Sequence, residues 1–531
     1  MLPLGQTHRK HFEKTSDPMH RRYFTLSSAA ALLYQLHRPN RLLAQVPSED
    51  KSEITTENEL AGPAVGPWRR LFLDATIVEE QQGLTRQFHS AEKHARNPII
   101  VADRPWEGTS AITGPYVYGT VLKDGLRYRM WYQVLFQGNH VGYAESEDAI
   151  HWQKPTLDII QYEGQSTNFV VSEFNAEKSG GRCNNPNVIL RPNEPNPERR
   201  YALYGFDGKA GHARVAFSAD GLNWQYPAES AQQPLFTSSD VVNFGYDPYQ
   251  DRYFSTWKTR NRRGRAVGIA WSKDGEKWSK PFEGPVFVAD DLETGDTQIY
   301  GMPAFAYQGM YIGLPWIYRA RYFRYGEYSV EKLHEAQSDS PRHLEVQLAW
   351  SWDLVNWTRP SERNQFIPRG QASDWDRGMI VTACAPIVVG DKLYFYFGGT
   401  DRVHDEKRVQ ASIGLATLRL DGFCSMSNHD SKEGWLITRR EPFRTPVVTI
   451  NASTKQGGSI SAEILDRKNK VVTGFSRDQC VAFQGDSVRH RLQWTTSSFA
   501  AGAMKSDYKI RFWLKNAELF SYLPESLDPN S

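Results

Sequence analysis

Short runs of alternating apolar and polar residues, closed by Gly, Asp, Asn or Pro, occupy most of the chain after residue 115. YVYGTV (116–121) and RYRMWYQ (127–133) are joined across Lys123-Asp124-Gly125, and NVIL (187–190) leads to RYALYGF (200–206). VVNFGYD (241–247) and RYFSTWK (252–258) flank a turn from Pro248 to Asp251. QIYGMPAFAY (298–307), MYIGLPWIY (310–318), MIVTACAPIVV (379–389), LYFYFGG (393–399) and SIGLATLRLDGF (412–423) continue the series. Period-two alternation rich in aromatic and β-branched residues predicts strands paired through tight turns.

Four further segments repeat one pattern: AESEDAIHWQKP (144–155), AFSADGLNWQYP (216–227), AWSKDGEKWSKP (270–281) and AWSWDLVNWTRP (349–360). Each reads A-x-S-x-D-x-x-x-W-x-x-P. A strand ends at Ala-x-Ser, Asp accepts backbone N–H groups in a turn, and Trp opens the next strand and packs on its neighbours. Asp148, Asp220, Asp274 and Asp353 are therefore structural. Two strands precede each copy, and a fifth unit at 379–423 lacks the Trp turn, so the order predicts an all-β fold containing a five-bladed β-propeller. Residues 447–451, 459–465, 470–476, 491–494 and 509–523 alternate again and predict a separate C-terminal β-sandwich.

Composition sharpens this picture. The 16 Trp, 25 Tyr and 26 Phe, with 40 Gly and 29 Pro, suit a β-rich protein with many turns. A formal net charge of +2 gives no basic excess for nucleic acid. No apolar stretch reaches the roughly 18 residues of a membrane span. Cys183, Cys384, Cys424 and Cys480 have no zinc-ligand spacing, and only Cys424 and Cys480 fall near or within one predicted unit, the C-terminal one, where they read as two buried thiols or a disulfide.

At the N-terminus a basic stretch reaches Arg21-Arg22-Tyr23-Phe24 and then an Ala/Leu/Ser-rich apolar run. This resembles a twin-arginine export signal, which implies a protein folded before export and working in the periplasm or outside the cell. The expected organisation is signal 1–45, linker 46–66, propeller 67–428 and sandwich 429–531.

The S-x-D-L-V-N-W turn at 351–357 and its relatives at 146, 218 and 272 resemble the blade turns of the five-bladed propeller glycoside hydrolases, families 32, 43, 68 and 117. The C-terminal sandwich is similar to that of family 32. The resemblance implies an enzyme acting on glycosidic bonds with acidic residues around a central pocket. The acid-bearing segments of family 32 do not occur. The nearest strings are Arg96-Asn97-Pro98, Tyr246-Asp247-Pro248 and Pro105-Trp106-Glu107. No catalytic residue therefore carries over by motif.

In a propeller, residues just before each innermost strand converge on the axis. That places Asp240, Asp296, Asp376 and Glu107 in a ring from which a catalytic pair is expected, one protonating the leaving oxygen and one activating water or attacking carbon. Asp74 is a further candidate, with a ring-closing strand as its alternative. Trp106, Arg182, Asn185, Tyr300, Trp316 and Arg377 are the expected substrate contacts, the aromatic rings stacking on a sugar and the Arg forks recognising an anionic one. The lone histidines have no ligand spacing, so neither a catalytic metal nor a cofactor is expected. The expected partner is an oligosaccharide or polysaccharide of plant or algal origin. A non-catalytic carbohydrate-binding propeller and a lyase or phosphorylase on the same fold are the alternatives.

Overall fold

The computed structural model describes residues 56–524 except 109–113, 176–181, 228–233, 294, 322–340, 405, 407, 430–431, 443–444, 446 and 496–506. The expected signal, with Arg21 and Arg22, lies outside the described residues. The fold is all-β and propeller-like, as the alternation predicts; the described helical elements are one six-residue helix and short 3₁₀ turns.

The first repeat unit is a four-stranded antiparallel sheet of Pro115–Asp124, Arg127–Leu135, Asn139–Ser146 and Phe169–Ser172. The second has three strands, Asn184–Leu190, Tyr201–Asp207 and His212–Ser218. The third has Val242–Asp247, Arg252–Asn261, Gly264–Ser272 and Trp278–Ser279. In the fourth, Pro303 and Pro315 interrupt the strands, as residues lacking an N–H must. Its outer half, beginning Ala304–Tyr307, forms a sheet of its own. The half that begins Thr297–Gly301 joins the fifth unit through one parallel bridge, Leu344 to Met379.

The four S-x-D turns form as the sequence predicts. Ser218 Oγ accepts the N–H of Gly221 at 2.9 Å, and Asp220 Oδ1 accepts those of Leu222 and Asn223 at 2.8 Å each. The residue after Asp has positive φ in every copy: Ala149 65°, Gly221 75°, Gly275 80° and Leu354 65°. Glycine is required in two copies for a second reason, because each turn lies under an aromatic ring of the preceding unit. A Cβ on Gly275 would stand 2.4 Å from the Tyr204 hydroxyl, and one on Gly221 2.9 Å from Trp131.

Thr120, Val188, Phe244, Phe305 and Ala385 line one narrow cavity between the repeat units. Leu60 of the helix Thr56–Ala61, inside the span expected to be linker, also lines it. Leu60 and Ala61 are buried; the Leu60 carbonyl accepts from Gln308, and the Ala61 carbonyl accepts the Tyr249 hydroxyl at 2.8 Å.

The C-terminal part of the chain forms most of a nine-stranded sheet built on two 18-residue strands, Val448–Leu465 and Asp507–Pro524. The first fuses two runs that read as separate strands, with a register shift between Thr454 and Ser459. KVVTGFS, expected as a strand, forms no regular strand: it makes the bridge of Val471 to Leu465 and backbone bonds with Ile464, and turns at Gly474, where φ is 89°. The sheet also reaches beyond 429–531. Arg70–Leu71, Val78–Gln82 and Thr85–Phe88 pair with Asp507–Pro524, Gly434–Thr438 and Cys424–Asn428. The chain thus passes through this sheet before Glu92–Lys93 adds an edge to the last repeat unit beside Ala411–Arg419. One core containing Phe72, Phe395, Phe423 and Phe512 runs through both parts. The four cysteines are free thiols, three of them buried, so Cys424 and Cys480 form no disulfide.

Candidate functional site at the axial mouth

The turn Pro248–Asp251 sets a hairpin register in which Val242 faces Trp257, so Lys258 falls beside the start of the third unit's first strand. Its backbone N–H donates to Val241. Lys258 Nζ lies 2.6 Å from Asp240 Oδ1 and 4.5 Å from the centre of the Tyr300 ring. The Asp240 side chain is half exposed, whereas Lys258 is buried. Burial pushes the Asp240 carboxyl upward, but the Lys258 ammonium and the Ser239 hydroxyl outweigh it and hold the group below its ordinary value. Burial likewise lowers Lys258, against the pull of Asp240.

Aromatic rings surround this pair. Tyr116 and Tyr118 meet edge to face at 4.6 Å, and Tyr118 leans on Trp316 at 5.3 Å. Tyr300 packs on Tyr318 at 5.8 Å, and its hydroxyl lies 3.2 Å from His404 Nε2. Arg265 extends over Tyr318 and donates to Gln298. Burial pushes the Tyr116 hydroxyl up to about 12 and raises Tyr118 and Tyr300 further, so all three stay neutral hydrogen-bonding groups.

The second unit contributes two asparagines. Asn184 donates to the Asp240 carbonyl at 3.0 Å. Asn185 sits in a bulge with φ 57°, and its N–H donates to Gln133 Oε1. Its side-chain amide is fully buried, and neither polar atom has a partner among the described residues. An unpartnered buried amide on a strained backbone is costly unless something else satisfies it.

Asp240, Tyr300 and Trp316 thus come together, with Asn185 reached through Gln133 beside Tyr116. Asp296 is half-buried just before Thr297–Gly301. The remaining candidates lie in assemblies of their own. Glu107 is fully buried and accepts from Tyr132 at 2.8 Å and Lys154 at 2.6 Å. Burial raises its carboxyl, against the lowering effect of Lys154. Trp106 is buried beside it and donates to Asn168. Asp376 is buried and pairs with Lys93 at 2.5 Å, fastening the edge strand, while Arg377 is exposed. Arg182 pairs with Glu173 at 2.9 Å. Asp74 caps a 3₁₀ turn, and the closing strand is Glu92–Lys93 instead. Counting the hairpin register back from its turn places Lys258 opposite Val241, the residue after Asp240, so the sequence signal for it was the register rather than a motif. Among the described residues no group of His, Cys, Asp or Glu is arranged to hold a metal ion.

No family profile matches the chain, and no curated protein matches it. Solved structures similar to it include a glycosyl hydrolase from Bacteroides ovatus, at 15% identity over 63% of this chain and 94% of that one, with a TM-score of 0.42. Another belongs to a study of glycoside hydrolase family 130, described as mannoside phosphorylases that include hydrolases of β-1,2 mannosidic linkages in Candida mannan. It shows 14% identity over 63% of this chain and 94% of that one, with a TM-score of 0.41. A family 32 β-fructofuranosidase from Bombyx mori shows 11% identity over 82% and 94%, with a TM-score of 0.34. At these identities the likeness is one of fold, and the chemistry has to come from the residues of the mouth.

Proposed function

We propose that the protein cleaves a glycosidic bond at the axial mouth, with Asp240 as the ionised carboxylate that activates water or attacks the anomeric carbon. The observation that carries this reading is the half-exposed Asp240 carboxylate, held ionised by Lys258 inside a ring of neutral tyrosines. Tyr116 and Tyr300 are buried beside the pair and keep it in an aromatic surrounding, and the buried Asn185 amide has hydrogen-bonding capacity that no described residue uses. Asp296, at the start of the next unit, is the proposed acid: it gives its proton to the leaving oxygen as the C–O bond breaks, and water supplies the replacement oxygen. A five-bladed count is supported by the five repeat units that contribute residues to the narrow cavity between them, and export by the Arg21-Arg22-Tyr23-Phe24 sequence.

A second reading, a sugar-binding mouth without catalysis, is favoured by the burial of Glu107 and Asp376 in pairs with Lys154 and Lys93. The test is incubation of the full chain with neutral, uronate and sulfated plant and algal oligosaccharides, with proton NMR following the anomeric signals. The expected result is a new anomeric product that disappears with Asp240→Asn. Line broadening by one sugar without turnover moves the protein to the second reading, and product formation undiminished in Asp240→Asn removes Asp240 from the chemistry.

A further inference from the structure

The position between Ser and Asp of the repeated turn holds Glu147, Ala219, Lys273 and, in the fourth copy, Trp352. Trp352 is 54% exposed, the only tryptophan so open among the described residues. It is nevertheless fixed: its indole N–H donates to Asp74 Oδ2 at 2.7 Å, and Asp74 Oδ1 accepts the Thr76 N–H at 2.7 Å. Burial raises the Asp74 carboxyl, but these hydrogen bonds outweigh it and keep the group ionised.

Trp352 forms one wall of a cavity of about 360 Å³ between the fourth repeat unit and the nine-stranded sheet. The other walls include Trp68, Thr76, Arg439 and Arg440. The cavity also holds Arg69 and Arg70, each neutralised by its own carboxylate: Arg69 pairs with Asp421, and Arg70 with Glu441, which also accepts the Tyr522 hydroxyl. Arg439 and Arg440 are exposed and pair with no carboxylate among the described residues; Arg440 donates only to the Arg467 carbonyl. The site lies at the opposite end of the strands from Asp240. Asp240 precedes the first strand of its unit, whereas Trp352 follows the third strand of the next, and the strands alternate in direction.

We infer that this cavity is a second, non-catalytic binding site for an oligosaccharide carrying carboxylate or sulfate groups. A fixed, open indole presents the flat apolar face on which the C–H face of a pyranose stacks. Two guanidiniums free of carboxylates present paired N–H groups to a planar or tetrahedral anion. Stacking and phosphate contacts also describe single-stranded nucleic acid, but the chain's net charge of +2 supplies no extended basic track for a phosphate backbone. The site stands on its own geometry and does not depend on catalysis at the mouth.

The test is tryptophan fluorescence of the full chain titrated with a galacturonate tetrasaccharide, a sulfated galactan tetrasaccharide, a neutral maltotetraose and an eight-base oligothymidylate. At least one anionic saccharide is expected to shift the emission, with affinity falling as salt rises. Trp352→Ala and Arg439→Ala should each weaken it by about tenfold, and Asp240→Asn should leave it unchanged. The response of the two anionic sugars separates carboxylate from sulfate recognition. Equal binding of maltotetraose, tighter binding of the oligothymidylate, insensitivity to both substitutions, loss in Asp240→Asn, or no response to any saccharide overturns the inference. Both substituted positions are solvent-exposed, and circular dichroism confirms that each variant is folded.

Discussion

Lys258 holds its ammonium 2.6 Å from the Asp240 carboxylate while lying over the Tyr300 ring, so one buried cation keeps that carboxylate ionised. Burial alone pushes this carboxyl upward, and the neighbouring ammonium and the Ser239 hydroxyl reverse the direction. The pair makes the mouth's proton chemistry separable from its shape.

Lys258→Met removes the group that lowers Asp240. The Asp240 carboxyl should rise, and the acid limb of the pH profile for glycoside cleavage should move to higher pH. A profile unmoved by Lys258→Met would show that another carboxylate controls that limb. Asp240→Asn should abolish turnover while leaving the circular dichroism spectrum unchanged.

The Asp376–Lys93 pair fastens the N-terminal edge strand Glu92–Lys93 to the last repeat unit. Lys93→Met leaves a buried carboxylate without its cation and should cost about 3 kcal/mol, read as a lowered denaturation midpoint. Adding Asp376→Asn should restore part of that loss. If the single substitution leaves the midpoint unchanged, the pair does not fasten the strand.

Gly275 has both a positive φ and a neighbour, the Tyr204 hydroxyl, where a Cβ would go. Gly211 has φ 75° with nothing within 4 Å of its Cβ position. Gly211→Ala should cost about 1 kcal/mol from the left-handed backbone alone. Gly275→Ala should cost roughly 1–3 kcal/mol more from the forced displacement of the ring. Thermal unfolding of the two variants measures the difference.

The turn aspartates set an acid limit. At Asp220 and Asp353 burial pushes the carboxyl up, but backbone N–H groups and the Asn223 and Asn356 amides outweigh it and lower the group. A carboxyl lowered in the folded state contributes stability above its unfolded value, near pH 4, and loses it as pH falls further. Stability measured by urea unfolding should therefore decline below about pH 4. Asp353→Asn should flatten that decline, and an unchanged slope would contradict it.

The sequence by itself determined the local grammar of this protein. Period-two runs marked the strands, and S-x-D followed by Trp marked the turns, because those hydrogen bonds close within six residues and need no distant partner. The position of Asp240 just before the run 241–247 was legible as well, because a strand start is marked by the local alternation. What only the tertiary structure decided was long-range pairing. Glu107 and Asp376 read like Asp240, but Lys154 and Lys93, 47 and 283 residues away, bury them as ion pairs. Strands from residues 70 to 88 complete a sheet made mostly of residues beyond 424, and one residue of a repeated turn became an exposed indole platform. Such pairings depend on which surfaces meet once the sheets pack, and a local pattern of apolar and polar residues carries no record of the surface that will cover it.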